Sequence, residues 1–171
     1  MNIINIINEY FEVRASLTGI NLRRSFANNL PQMGTQNYHS DENSINFLKC
    51  FIYLTNVTEK NGPFTFVIGS HAKKKIFDEA KYHYTDSEIK NKYGNSAIKF
   101  ITGSIGDLVI ANTKGYHKGT KLLEGYRDML TLHFGIHNEY LSKKNAPRVN
   151  DEIISLSKKM NLNFLDLAKK I

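Results

Sequence analysis

His39 and Asp41, separated only by Ser40, form the most chemically pointed feature of the sequence. On an extended chain residues two apart project to the same face, so an imidazole and a carboxylate converge there. Such a pair supplies two of the three ligands of a 2-His-1-carboxylate metal site, which leaves positions open on the metal. Farther along, His117 sits between Gly115-Tyr116 and Lys118-Gly119, in a glycine-flanked loop or strand end. From an opposite sheet it can add the third ligand. A lone His-x-Asp is a weak signal in a chain with six histidines and sixteen acidic residues, and the third ligand is what gives it weight.

The stretch Tyr126 to Ile136 adds a second group. Asp128, Leu130, Leu132, Phe134 and Ile136 share one face of a strand and are apolar apart from Asp128. Arg127, Met129, Thr131 and His133 share the other, which is polar for a core. Buried polar groups are costly unless they meet a polar partner, and the planar fork of a guanidinium suits a carboxylate. Arg127 is therefore a candidate anion-binding residue. The alternative is a surface ion pair with Glu124 or Asp128. His83, His133 and His137 belong to no such pattern, and His133 reads as a core histidine with its own partner.

The elements that must position these groups are written in the periodicities. Ile3, Ile6, Ile7, Tyr10 and Phe11 predict a helix from Ile3 to about Ala15. From about Leu30 the pattern turns to short strands and turns, and Gln32 to Ser40 leads into a long strand, Asn46 to Asn56, apolar on both faces as if covered on each side. Asn61-Gly62-Pro63 signals a turn before the strand Phe64 to Ile68. A basic helical insertion opens at Gly69-Ser70-His71, and within it Thr85 and Glu88 have capping-box spacing. Strands resume at Ala97 to Ile101, Asp107 to Ala111 and Tyr126 to Ile136. Ile153, Leu156, Met160, Phe164, Leu167 and Ile171 predict a closing amphipathic helix laid on the sheet. This order predicts a mainly β fold with flanking helices, a small double-sheet jelly roll, in a single domain over residues 1–171.

Composition narrows the function classes. No apolar run approaches the roughly 20 residues needed to cross a bilayer, and the first residues lack the basic start and cleavage site of a signal peptide; a cytoplasmic location with no membrane partner is expected. The single cysteine, Cys50, excludes an internal disulfide and a thiolate zinc cage, and it reads as a small hydrophobe in a buried strand. A net charge of +7 and a pI of about 9.4 admit an anionic partner. The lysines are scattered, however, without interleaved aromatics, which fits solvated faces and helix ends rather than a nucleic-acid surface.

Taken together, ordered blocks of the chain resemble the phytanoyl-CoA dioxygenase family of iron(II)/2-oxoglutarate oxygenases. They are Gln36 to Asp41, Tyr53 to Pro63, Val67 to His71, Gly106 to Ile110, His117 and Arg127, and the resemblance runs from about Gln36 to Gly135. It implies a double-stranded β-helix core (jelly-roll, cupin-like). It implies His39, Asp41 and His117 as the catalytic iron(II) ligands, with Arg127 holding the distal carboxylate of 2-oxoglutarate. It also implies O2 as second co-substrate, hydroxylation of a small-molecule substrate, and release of succinate and CO2. His71, in the family's Pro-Gly-Ser-His block, is expected to be structural.

Three departures from the family pattern matter. Ile68 replaces the family's proline. Gly119 stands where a serine or asparagine often helps bind the co-substrate, and neighbouring Thr120 offers a hydroxyl in its place. The region before His39 is shorter than is usual. A second expectation therefore stands beside the first: a catalytically inactive or truncated jelly-roll relative acting as a binding module. A cupin-like metal enzyme of another class, indifferent to 2-oxoglutarate, is a third; the sequence does not name a substrate or an oligomeric state.

Overall fold

The computed structural model of the chain describes residues 3–41, 46–73, 81–136, 148–149, 155 and 169–170. Its elements are helix α1 (Ile3–Phe11), strands β1 (Ser16–Phe26), β2 (Phe47–Tyr53) and β3 (Phe64–Val67), helices α2 (Ser70–Lys73) and α3 (Asp86–Tyr93), then strands β4 (Ile98–Ile101), β5 (Leu108–Ala111), β6 (His117–Gly119) and β7 (Tyr126–Gly135). A four-stranded sheet runs in the order β1-β7-β2-β5, and a three-stranded sheet runs β4-β3-β6. By internal contacts the chain divides into two compact units, residues 1–21, 43–50 and 131–171, and residues 22–42 and 51–130. His39, Asp41, His117 and Arg127 all lie in the second.

Within that second unit, β3 is the central strand of its sheet. It pairs antiparallel with β4 (Phe64 opposite Ile101) and with β6 (Phe64 opposite Gly119, Phe66 opposite His117). Phe64 and Phe66 share a face and meet Phe51 in a buried cluster, against which Ile101, Val109, Ala111 and Met129 pack. The opposite face carries Thr65 and Val67. Val67 belongs to a second cluster with Tyr38, Ile89 and Tyr116, so β3 is buried on both sides. The predicted capping box starts α3: Thr85 Oγ1 accepts from the Glu88 N–H, and the Glu88 carboxylate accepts from the Thr85 N–H at 2.8 Å. Ile89 is the one α3 residue buried in the core.

In the first unit, α1 buries Ile4 and Ile7. It ends at Phe11 rather than near Ala15, because Glu12 turns into the left-handed region (φ 56°) and the Ala15 N–H donates to Asn8 Oδ1 at 2.8 Å. A Cβ at Gly19 would meet the His133 ring at 3.4 Å, so His133 is a packing residue on β1.

Strand β1 was not expected before Leu30. It lies at the end of its sheet's strand order, and from Ile20 to Arg24 it is exposed, so it shows no apolar alternation to read. Of the predicted C-terminal helix, all but Ser155 and Lys169–Lys170 lies outside the described residues. Ser155 is helical, whereas Lys169–Lys170 pairs in parallel with Arg148–Val149 as a short two-stranded sheet. Among the described residues no helix is long and apolar enough to cross a membrane.

Candidate functional site

Tyr38 and His39 run as a short extended segment between two neighbours. On one side Tyr38 and Tyr84 exchange both backbone hydrogen bonds, at 3.0 and 2.8 Å. On the other, His39 and His117 do the same, each at 3.0 Å. The two histidines are therefore direct cross-strand partners on one face, their rings 4.3 Å apart. Two further bonds fix the segment beyond them: the Asp41 N–H donates to Thr113 O at 2.9 Å, and Ser40 Oγ donates to Lys114 O at 2.8 Å.

This backbone brings His39, Asp41 and His117 together, with one ligand atom from each inside a 4.8 Å cluster. His39 Nε2 stands 3.9 Å from Asp41 Oδ1, and His117 Nε2 stands 3.4 Å from Asp41 Oδ2. Two atoms each bound at about 2.1 Å to one ion lie at most about 4.2 Å apart, so both separations suit a shared metal. Both histidines are buried.

The other nitrogen of each ring settles how it is presented. His39 Nδ1 lies 3.0 Å from Asn37 O, and His117 Nδ1 lies 2.9 Å from Gly115 O. A carbonyl only accepts, so each Nδ1 carries a proton and Nε2 is the ring nitrogen presented to Asp41. This is the outer support that metal-binding histidines use. Two neutral nitrogens and one carboxylate, all on one side, fit a divalent ion that keeps open positions.

Arg127 is 5 % exposed. Among the described residues it forms no surface ion pair: Asp128 is taken by Arg24, and Glu124 faces Lys60 at 3.6 Å. Its Nη1 donates to Gly62 O, while its buried Nε makes no hydrogen bond among the described residues. Burial holds its pKa below the ordinary guanidinium value, the mark of a desolvated cation. A Cβ at Gly119 would sit 3.7 Å from Arg127 Nη2. Gly119 and His117 occupy the same face of β6, two residues apart, so the guanidinium lies beside the face that carries His117. The hydroxyl of neighbouring Thr120 lies 2.5 Å from Thr65 Oγ1.

Other residues have parts that the sequence did not announce. In the Gly-Ser-His block the serine is the buried member and His71 is exposed. Ser70 Oγ donates to Val67 O at 2.7 Å and accepts from the Tyr116 N–H at 2.8 Å, tying the end of β3 to the residue before His117. Gly115 is needed there: an added Cβ would lie 2.6 Å from Phe66 Cζ and 2.9 Å from Ser70 Oγ. Tyr82 and His83 flank His39, with rings 6.4 and 6.2 Å from its ring, and His83 Nε2 is buried without a hydrogen-bond partner among the described residues. Nothing in the sequence around His83 marks it. Cys50 is fully buried, as expected, and burial pushes its thiol up to about 12.

The solved structure of SnoK, a non-heme α-ketoglutarate-dependent carbocyclase from nogalamycin biosynthesis, matches at 17 % identity. Its TM-score is 0.59, with 78 % of this chain and 55 % of that chain covered. EctD from S. alaskensis with bound Fe matches at 15 % identity and TM-score 0.58, covering 84 % and 50 %. HygX from Streptomyces hygroscopicus, with nickel, 2-oxoglutarate and hygromycin B bound, matches at 14 % identity and TM-score 0.53, covering 86 % and 64 %. The fold is thus the jelly roll of these oxygenases, and the chain spans about half to two thirds of their length. No curated protein sequence matches. The sequence model of the phytanoyl-CoA dioxygenase (PhyH) family matches residues 18–122, taking in the triad and ending before Arg127. With more than half of its residues in that match, this chain belongs to the phytanoyl-CoA dioxygenase family.

Proposed function

We propose that the chain is an iron(II)- and 2-oxoglutarate-dependent oxygenase acting on a small-molecule substrate. His39, Asp41 and His117 are its metal ligands, and Arg127 holds the far carboxylate of 2-oxoglutarate. The observation that carries this is the approach of both Nε2 atoms to the Asp41 carboxylate, each ring held by an Nδ1 bond to a backbone carbonyl. When bound, iron(II) and 2-oxoglutarate supply the chemistry: O2 is consumed as the co-substrate loses CO2 to give succinate, and an oxygen atom goes to a substrate C–H bond.

The chain's own residues bind, orient and exclude water. Asp41 balances part of the metal's charge, and the two neutral imidazoles add donors without further charge. Phe51, Phe64, Phe66 and Met129 wall the neighbouring space with apolar groups. In that low-polarity setting a guanidinium such as Arg127 binds a carboxylate strongly. Tyr82 and His83 are the groups offered to a substrate on the His39 side. HygX, of similar fold, has hygromycin B bound, which supports a small-molecule substrate here.

Anaerobic titration with iron(II) and 2-oxoglutarate, followed by visible absorbance, tests the proposal. A charge-transfer band that needs both additions and is lost in His39→Ala supports it. Folded protein without that band rejects it in favour of the second reading, a jelly-roll binding module without turnover.

A further inference from the structure

We infer that Lys118, held by Asp86 across the ring of Tyr38, is a positioning residue that fixes the register of His39 against His117; this rests on the proposed metal-ligand role of those histidines. Lys118 is only 2 % exposed, which is rare for a lysine. Its Nζ lies 2.5 Å from Asp86 Oδ1 and 4.7 Å from the centre of the Tyr38 ring. Because His39 pairs with His117, Tyr38 lies opposite Lys118 on the back of the same two segments. Tyr38 in turn pairs with Tyr84, two residues before Asp86. The lysine side chain therefore spans all three segments behind the site, from β6 over Tyr38 to the first turn of α3.

The pairing it spans is minimal. Among the described residues the His39–His117 and Tyr38–Tyr84 contacts are isolated bridges, each with two backbone hydrogen bonds, and past them the segment is held by the Asp41–Thr113 and Ser40–Lys114 bonds. A slip of one residue in so short a pairing would turn His39 to the wrong face. Tyr38, Val67, Ile89 and Tyr116 form an apolar cluster on this back side, and an ion pair against such a cluster gives little net stability. A charge with a single correctly placed partner does, however, penalise every other register, since any slip strands the ammonium. Ion-pair geometry behind the site thus becomes ligand geometry in front of it.

The test uses cobalt(II) as a coloured divalent probe on the whole chain, comparing wild type with Lys118→Met, Asp86→Asn and the double variant. Lys118→Met replaces the ammonium with an apolar group of similar length, so its thermal midpoint should stay close to wild type. Its cobalt(II) affinity should fall about 10- to 100-fold, the usual effect of losing an outer support. Asp86→Asn should lower affinity in the same way, and the double variant should lose no more than the worse single one, because both remove one interaction. Asp86 has a side chain 65 % exposed, so its variant keeps the test open should Lys118→Met fail to fold. Affinity within twofold of wild type in either folded variant, or losses that add in the double variant, would overturn the inference. If wild type itself bound no cobalt(II) or iron(II), the metal reading would fall, and this inference with it.

Discussion

Arg24 and Asp128 meet in a two-pronged ion pair, with Nε donating to Oδ1 at 2.7 Å and Nη2 to Oδ2 at 2.6 Å. The pair sits on the outer side of β7 and occupies both carboxylate oxygens next door to Arg127. Adjacent residues of a strand face opposite ways, so Arg127 turns inward with one donor on Gly62 O and its Nε free of any hydrogen bond among the described residues. The same two neighbours thus have opposite fates. One arginine is paired with a carboxylate at the surface, and the other is buried without one among the described residues.

Arg127→Met should therefore act on co-substrate binding. A charge-assisted hydrogen bond is worth about 1.5–3 kcal/mol, so the 2-oxoglutarate concentration needed for the charge-transfer band should rise about 10- to 150-fold. Iron(II) or cobalt(II) binding without 2-oxoglutarate should not change. Equal 2-oxoglutarate affinity in the variant and wild type would remove Arg127 from the site.

Gly115→Ala tests the support behind His117. The new Cβ would press on Phe66 Cζ and Ser70 Oγ, and it would shift the carbonyl that holds His117 Nδ1. Overpacking of this kind costs about 1–3 kcal/mol. Urea unfolding should show that loss, and metal titration of the folded protein should show weakened binding. Full metal affinity would mean that the Gly115 carbonyl does not orient the ligand.

Glu88 gives the stability a pH dependence. Its hydrogen bond with Lys81, then those from the Thr85 N–H and hydroxyl, hold its carboxyl down at about 2, below the ordinary value of 4.5. A group depressed in the folded state stabilises above its unfolded pKa, and that contribution disappears as pH falls through the folded one. Glu88→Gln keeps a capping-box acceptor and loses the charge. The advantage of wild type over this variant, followed by thermal melting, should hold at neutral pH and narrow as pH falls from about 4.5 toward 2. An advantage constant across that window would show that the charge contributes nothing.

Cys50 should be silent in the native protein. Burial alone raises its pKa to about 12, so almost no thiolate exists at neutral pH. A thiol-specific disulfide reagent at pH 8 should label it only at the rate of unfolding, and one equivalent should react at once in denaturant. Rapid native labelling would contradict the buried placement.

Much of this protein could be read along the chain because the signals are local. The capping box at Thr85 and Glu88 needs four consecutive residues, and it forms as spaced. The inward polar face of β7 follows from period-two alternation, and Arg127 and Thr131 are indeed buried. The burial of Cys50 follows from its apolar run. Where the burial pattern is thin, the reading failed: β1, exposed along its middle, leaves no alternation. In the Gly-Ser-His block the histidine is exposed, and it is the serine that reaches Tyr116.

The His-x-Asp spacing and the alternation that turns Arg127 inward are legible along the chain, since each depends on bond geometry over a few residues. That His39 faces His117, that Arg24 rather than Arg127 takes Asp128, and that Lys118 is buried on Asp86 emerge with the folded chain. Those outcomes join residues far apart in the chain, in the case of Arg24 and Asp128 by 104 positions. Their energies depend on which partner arrives and on what water is lost, and no local periodicity carries that information.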